Sequence, residues 1–159
     1  MNGRTVVLGL GNPVVSDDRV GLEVARQLAS LLELAPVAAV DVRTSTRGGF
    51  DLLDLLSGYG RAILVDCLAV PHPIPGTIRR LRLDDVAGSA RLINAHGLGL
   101  ADVFLLAERL GIPMPEKLEI YAVEAADTST LSEEMTPAVR DAASLLARDL
   151  HELLRNQSR

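Results

Sequence analysis

The sequence predicts an α/β fold: a three-layer α/β/α sandwich around a mostly parallel, five-stranded twisted sheet with one antiparallel strand. Three observations lead there. Short aliphatic, β-branched runs alternate with longer stretches of helical period. The first three runs follow the order strand, helix, strand, helix, strand, which implies parallel strands joined by right-handed crossovers. A later strand is reached through a loop too short for a helical crossover, which implies an antiparallel one. At 159 residues the chain makes one domain, 1–159. About two thirds of its unfolded surface can be buried at that length, so neither metal nor disulfide is needed to hold it.

The first element is TVVLGLG at 5–11, a buried strand closed by the turn residues Gly11, Asn12 and Pro13. From about residue 17 the period changes. Val20, Val24, Leu28 and Leu31 recur at spacings of four and three, with Arg19, Glu23, Arg26, Gln27 and Ser30 on the other face, giving an amphipathic helix to about Leu34. Ser16 or Asp17 can cap it, and Pro36 marks its end. VAAVDV at 37–42 reads as the second strand. After Gly48 and Gly49, Phe50, Leu52, Leu53, Leu55 and Leu56 form a short helix, and AILV at 62–65 is the third strand.

TIRRLRL at 77–83 alternates imperfectly and reads as an edge strand antiparallel to the third, because CLAVPHPIPG before it leaves no room for a helix. An apolar helix at 97–110 and a strand LEIYAV at 118–123 follow. Thr136 and Pro137 then open the last helix, a cap residue followed by proline at the first helical position. Val139, Ala143, Leu146, Leu150 and Leu153 give it one apolar face.

Composition narrows the function. With 16 basic and 21 acidic residues the net charge is -5, and no basic cluster is present to meet a phosphate backbone, which argues against nucleic acid. The single cysteine, Cys67, allows no internal disulfide and suits a reducing compartment. The N-terminal apolar run is too short for a signal peptide, and no run approaches a membrane span. The expectation is a soluble cytoplasmic protein, monomeric by default in the absence of coiled-coil heptads.

Ligands of an open parallel sheet bind at the carboxyl ends of its strands. Sequence position brings three groups to that edge: Asp17 and Asp18 opening the helix after the first strand, Asp66 ending the third, and His96 in the loop NAHGLG. Carboxylates with an imidazole suit a divalent transition metal, and three protein ligands would leave its coordination sphere open. Each residue also has a plainer reading. Acids in a first helical turn complement the helix dipole and its orphan N–H groups, an Asp ending a strand bonds loop amides, and a loop His is satisfied by solvent or backbone. Cys67 reads as a small buried hydrophobe, and His72 and His151 as solvated. GLGNP is not a dinucleotide fingerprint, since Val14 stands where its third glycine would be.

The run GLGNPVVSDDRVGLEVARQL at 9–28 resembles the opening of the nickel-iron hydrogenase maturation endopeptidases, whose first strand leads into G-N-x-x-x-x-D-[DE]-x-x-G. LVDCL at 64–68 resembles the family's strand-end aspartate, PGTIRRL at 75–81 its next strand, NAHGLGLADVFLLA at 94–107 its histidine loop and helix, and MTPAV at 135–139 the start of its last helix. Order and spacing are kept over nearly the whole chain. The resemblance implies a phosphorylase/hydrolase-like fold and carries the family's metal-contacting and catalytic trio onto Asp18, Asp66 and His96. It further implies a metal-dependent or aspartic-type endopeptidase that removes a C-terminal extension from a hydrogenase large-subunit precursor, with nickel supplied by that precursor. Two departures stand out: Arg19 where many members have Gly, and AVEAADTSTLSEE at 122–134 without the usual Gly and Pro.

Two other readings stay open. A non-catalytic nickel-sensing or chaperone protein could use the same trio without cleavage. Peptidyl-tRNA hydrolase also opens with GLGNP, but its catalytic His segment has no counterpart before His72, and the chain has no basic surplus for tRNA.

Overall fold

The computed structural model describes residues 3–86 and 99–158, and residues 91–92 by their backbone. Four strands run parallel: β1 (Thr5–Leu10), β2 (Val40–Ser45), β3 (Arg61–Ala69) and β6 (Lys117–Glu124). They stand in the order β2-β1-β3-β6, and β4 (Ile78–Leu81) closes the far edge antiparallel to β6. This is the expected five-stranded path with one antiparallel strand. A two-residue β5 (Arg91–Leu92) adds an antiparallel pairing to the end of β3, Leu68 with Leu92 and Ala69 with Arg91.

Alternation along the central strands divides the core into two layers. Leu8, Leu10, Leu64, Leu68, Ile120 and Ala122 face α2 (Asp51–Leu56) and α4 (Leu100–Leu110). Val7, Ile63, Val65, Cys67 and Val123 face α1 (Val20–Leu34) and α5 (Pro137–Gln157). Both faces are covered, which is why Val6–Leu8 of β1 and Ala62–Val65 of β3 read as continuous apolar runs rather than alternating ones. A short α3 (Leu83–Val86) follows β4 and has no counterpart in the sequence reading.

Three expectations shift. The second strand begins at Val40 rather than residue 37, because its register is set by Thr5 pairing with Val40 and Ala39 turns with a φ of 59° just before it. The antiparallel strand runs opposite to β3 as expected but lies beside β6 instead, since the later strand enters between them. His151 is buried rather than solvated, its Nε2 2.9 Å from the carbonyl oxygen of Ala35 at the end of α1. Among the described residues no helix is long and apolar enough to cross a membrane.

Candidate active site at the carboxyl edge of the sheet

The strand order reverses between β1 and β3. From β1 the chain crosses outward to β2, then returns over β1 to β3, so the loops leaving β1 and β3 diverge and open a crevice at their carboxyl ends. Asp18 follows β1 and Asp66 lies near the end of β3, one on each side of this switch point.

Close packing sets the first of these residues in place. Asp17–Arg19 form one 3-10 turn that leads into α1. A Cβ on Gly21 would overlap the carbonyl oxygens of Leu10 and Val65, and one on Gly9 would overlap the carbonyl oxygen of Gly21. The start of α1 therefore rests directly on the backbone of β1 and β3, an approach only glycine permits. Lodged this low, the turn buries both acids: Asp17 is fully buried and Asp18 is 6% exposed.

The two neighbours do different work. Asp17 Oδ2 accepts the N–H groups of Ala126 and Asp127, both at 2.9 Å, and its Oδ1 accepts the N–H of Thr136 at 2.8 Å. The Thr136 hydroxyl lies 2.9 Å from each carboxylate oxygen. Thr136 is thus the N-cap residue of α5, as the sequence predicts, but its hydroxyl serves Asp17 instead of the helix. Asp17 is an internal staple: its role is structural, but it serves the loop before α5 rather than the N–H groups of its own helix, which it was expected to cap. The sequence signal that could have shown this is the DTST segment at 127–130, an Asp followed by Ser and Thr, whose hydrogen bonds organise the loop that Asp17 collects.

Asp66 is fully buried, and its Oδ1 accepts the N–H of Cys67 at 2.7 Å, which fixes the carboxylate on its strand. By strand alternation it shares the face of Leu64 and Leu68, toward α2 and α4, while Cys67 faces α1. The Cys67 thiol reports the local field. Burial pushes its pKa well up, and the negative charges of Asp66, Asp18 and Asp17 add to the rise. A thiolate is the nucleophilic form, so this cysteine is chemically quiet, as expected of a small buried hydrophobe.

Arg19, one departure from the family pattern, has a structural task that involves the other. Its guanidinium donates to the carbonyl oxygen of Glu133, tying the turn to the loop between β6 and α5. Buried charge away from the crevice is structural as well: Glu119, 5% exposed, accepts from Arg61 and Arg80, each at 2.6 Å.

His96 lies outside the described residues. Among the described residues no group of three or more His, Cys, Asp or Glu is arranged to hold a metal. Asp18 and Asp66 are the two sequence-predicted site residues that the structure describes, and it brings both to the switch point.

Comparison with known proteins points the same way. The family model described as hydrogenase maturation protease matches residues 22–152. The chain is 31% identical over 121 residues to the hydrogenase 2 maturation protease of Escherichia coli strain K12, covering 76% of this chain and 72% of that one. In fold it is similar to the hydrogenase maturating endopeptidase HybD of E. coli, with a TM-score of 0.78 and 24% identity over 97% of this chain and 93% of that one. It is also similar to the [NiFe] hydrogenase maturation protease HybD of Thermococcus kodakarensis, with a TM-score of 0.71 and 21% identity over 95% of this chain and 99% of that one. A match that runs from the first helix to the last, on the fold of known maturation endopeptidases, is decisive at the level of family: this chain belongs to the hydrogenase maturation proteases.

Proposed function

We propose that the protein cleaves the C-terminal extension from the nickel-loaded large-subunit precursor of a nickel-iron hydrogenase, acting in the cytoplasm as a monomer. The observation that carries this reading is the pair of buried carboxylates at the switch point of a hydrogenase maturation protease. Asp18 and Asp66, with His96, are the residues we assign to the reaction.

Nickel here belongs to the substrate. Two carboxylates and an imidazole form a donor set that suits it, with oxygen and nitrogen ligands for a borderline divalent ion. When bound, the metal would report completed loading and polarise nearby groups. The chain's own residues do the rest. Asp66, fixed by the Cys67 N–H, presents its carboxylate at a constant position, and Asp18 is held by the packing of its turn on β1 and β3. Two carboxylates, one fully and one almost fully buried, favour a substrate that brings positive charge over one with an acidic tail. Cys67 is a poor nucleophile, which supports hydrolysis without a covalent intermediate.

The test is the intact mass of a large-subunit precursor from the same organism, with and without nickel, after incubation with the protein. Loss of a C-terminal peptide from the loaded form alone is the expected result. Asp18→Asn, Asp66→Asn and His96→Ala should each slow cleavage by about 100-fold or more while leaving the far-ultraviolet circular dichroism unchanged. Normal processing by any one of them removes that residue from the assignment. An unchanged precursor mass with nickel-dependent binding would instead support a non-catalytic sensor.

A further inference from the structure

Four large apolar side chains face solvent on the loops that leave the parallel strands: Val14 after β1, Phe50 after β2, Ile74 after β3 and Leu131 after β6, with exposures of 50, 64, 73 and 79%. A single exposed apolar residue needs no explanation, but one on each of these four described loops does. The loops are also poor in charge. Across 11–16, 46–50, 70–77 and 125–136 four of 31 residues are charged, Arg47, Asp127, Glu133 and Glu134, in a chain that is 23% charged. Asp127 spends its carboxylate on the N–H groups of Ser129 and Thr130. Exposed loops that are apolar and depleted in charge have the composition of an interface centre, not of ordinary solvated surface.

These side chains are held outward by construction. Val14 donates its N–H to Asn12 Oδ1 at 3.2 Å, and its carbonyl accepts the Ser132 N–H at 3.0 Å. Val15 and Leu131 form an antiparallel bridge, and Ser16 donates to the Thr130 carbonyl at 3.1 Å, so both loops make one ribbon. Ile74 lies between Pro73 and Pro75, and its carbonyl accepts both the hydroxyl and the N–H of Thr77, at 2.7 and 3.1 Å. A surface ordered in advance loses little entropy when it binds.

We infer that this rim is the docking surface for the polypeptide delivered to Asp18 and Asp66: an extended, uncharged segment of the precursor beside the scissile bond, with apolar side chains seated on Val14, Leu131 and Ile74. The inference rests on the function proposed above. Two features select this occupant. The rim stands on the loops that leave β1 and β3, the strands that bring Asp18 and Asp66 to the same edge, which suits a polypeptide that arrives and leaves better than a permanent second copy. The acids beneath it repel an acidic segment and accept a neutral one. From β2 to β6 the rim crosses three strand spacings, about 14 Å, the length of about four extended residues.

The test is the Kd of the nickel-loaded precursor measured by biolayer interferometry, with processing followed in parallel by intact mass. The variants are Val14→Ser with Leu131→Ser, Ile74→Ser alone, and a control, Leu34→Ser with Leu110→Ser, which removes exposed apolar groups at the opposite edge. Both rim variants should bind about tenfold more weakly or worse, while the control matches the wild type. Melting temperatures should stay within about 2 °C, as expected of surface substitutions. Rim variants that bind within about twofold of wild type, or a control that loses as much, overturn the inference, as does a wild-type protein that does not bind precursor at all. Wild-type binding that depends on the rim without any cleavage keeps the docking surface and removes the protease reading. Loss of self-association in the rim variants with precursor binding intact assigns the rim to a second copy and overturns the inference.

Discussion

The Asp17 carboxylate lies wholly out of solvent and gathers donors from the loop after β6 and from the first residues before α5. An acid that accepts three backbone N–H groups and a hydroxyl contributes strongly to stability, because removing it strands those donors away from water. Asp17→Ala should therefore cost about 3 kcal/mol in urea unfolding, taking each of the three stranded backbone N–H groups at about 1 kcal/mol. Asp18→Asn should unfold near the wild-type midpoint yet fail to process precursor. The reverse pattern, with Asp18 the stability residue, would exchange the roles assigned to the pair. Sequence alone could not separate them, since both occupy the first helical turn where the dipole favours acids. Only the partners at 126, 127 and 136, distant along the chain, decide which is which. His151 was misread for a similar reason: its position on the helix looks polar, and the carbonyl it meets belongs to Ala35.

At the scale of elements, the start of α1 is positioned by contacts between backbones. Gly21 leaves no space for a methyl group between the carbonyls of Leu10 and Val65, and neither strand can give way without breaking its ladder. Gly21→Ala should destabilise the fold by about 3 kcal/mol, the upper range for overpacking, despite alanine's better helix propensity. It should also lower processing, because the helix that lifts carries Asp18 with it; a variant as stable and active as wild type would show that the helix does not sit this low. The loop from β6 to α5 makes a separate prediction. The Thr130 hydroxyl, then the N–H groups of Ser129 and Thr130, hold the Asp127 carboxyl down to about pKa 2. A depressed pKa means that the turn is fully supported above the ordinary aspartate value near 4 and loses that support as pH falls toward 2. The carboxyl carbon of Asp127 should titrate by NMR with a midpoint below about 3. A midpoint near 4 would mean that the turn is not formed. Element existence was legible because the hydrophobic period changes cleanly from strand to helix. The start of β2 was not: residues 37–39 are as apolar as a strand, and only the Thr5–Val40 pairing places them outside it. The neighbour of β4 was likewise set by a strand that appears about forty residues later.

For the molecule as a whole, the two core layers share the same strands. β3 places Ala62, Leu64 and Leu68 in one layer and Ile63, Val65 and Cys67 in the other, and β6 does the same with Ile120 and Val123. Neither layer can lose its packing without exposing the far side of strands the other needs, so no unit smaller than the full sheet retains a closed core. The site follows the same logic. Asp18 depends on α1 seated in one layer, and Asp66 extends from a strand toward the other, so the crevice exists only while both layers are packed. We therefore expect the 159 residues to unfold as one domain in a single calorimetric transition. Its van't Hoff and calorimetric enthalpies should agree at about 110 kcal/mol near 60 °C, the size expected at about 0.7 kcal/mol per residue. Catalytic activity should disappear along the same curve as the near-ultraviolet circular dichroism. Two resolved transitions, or activity lost well below the structural midpoint, would mean that the two helical layers melt independently and that the carboxyl edge is less firmly built than its shared strands require.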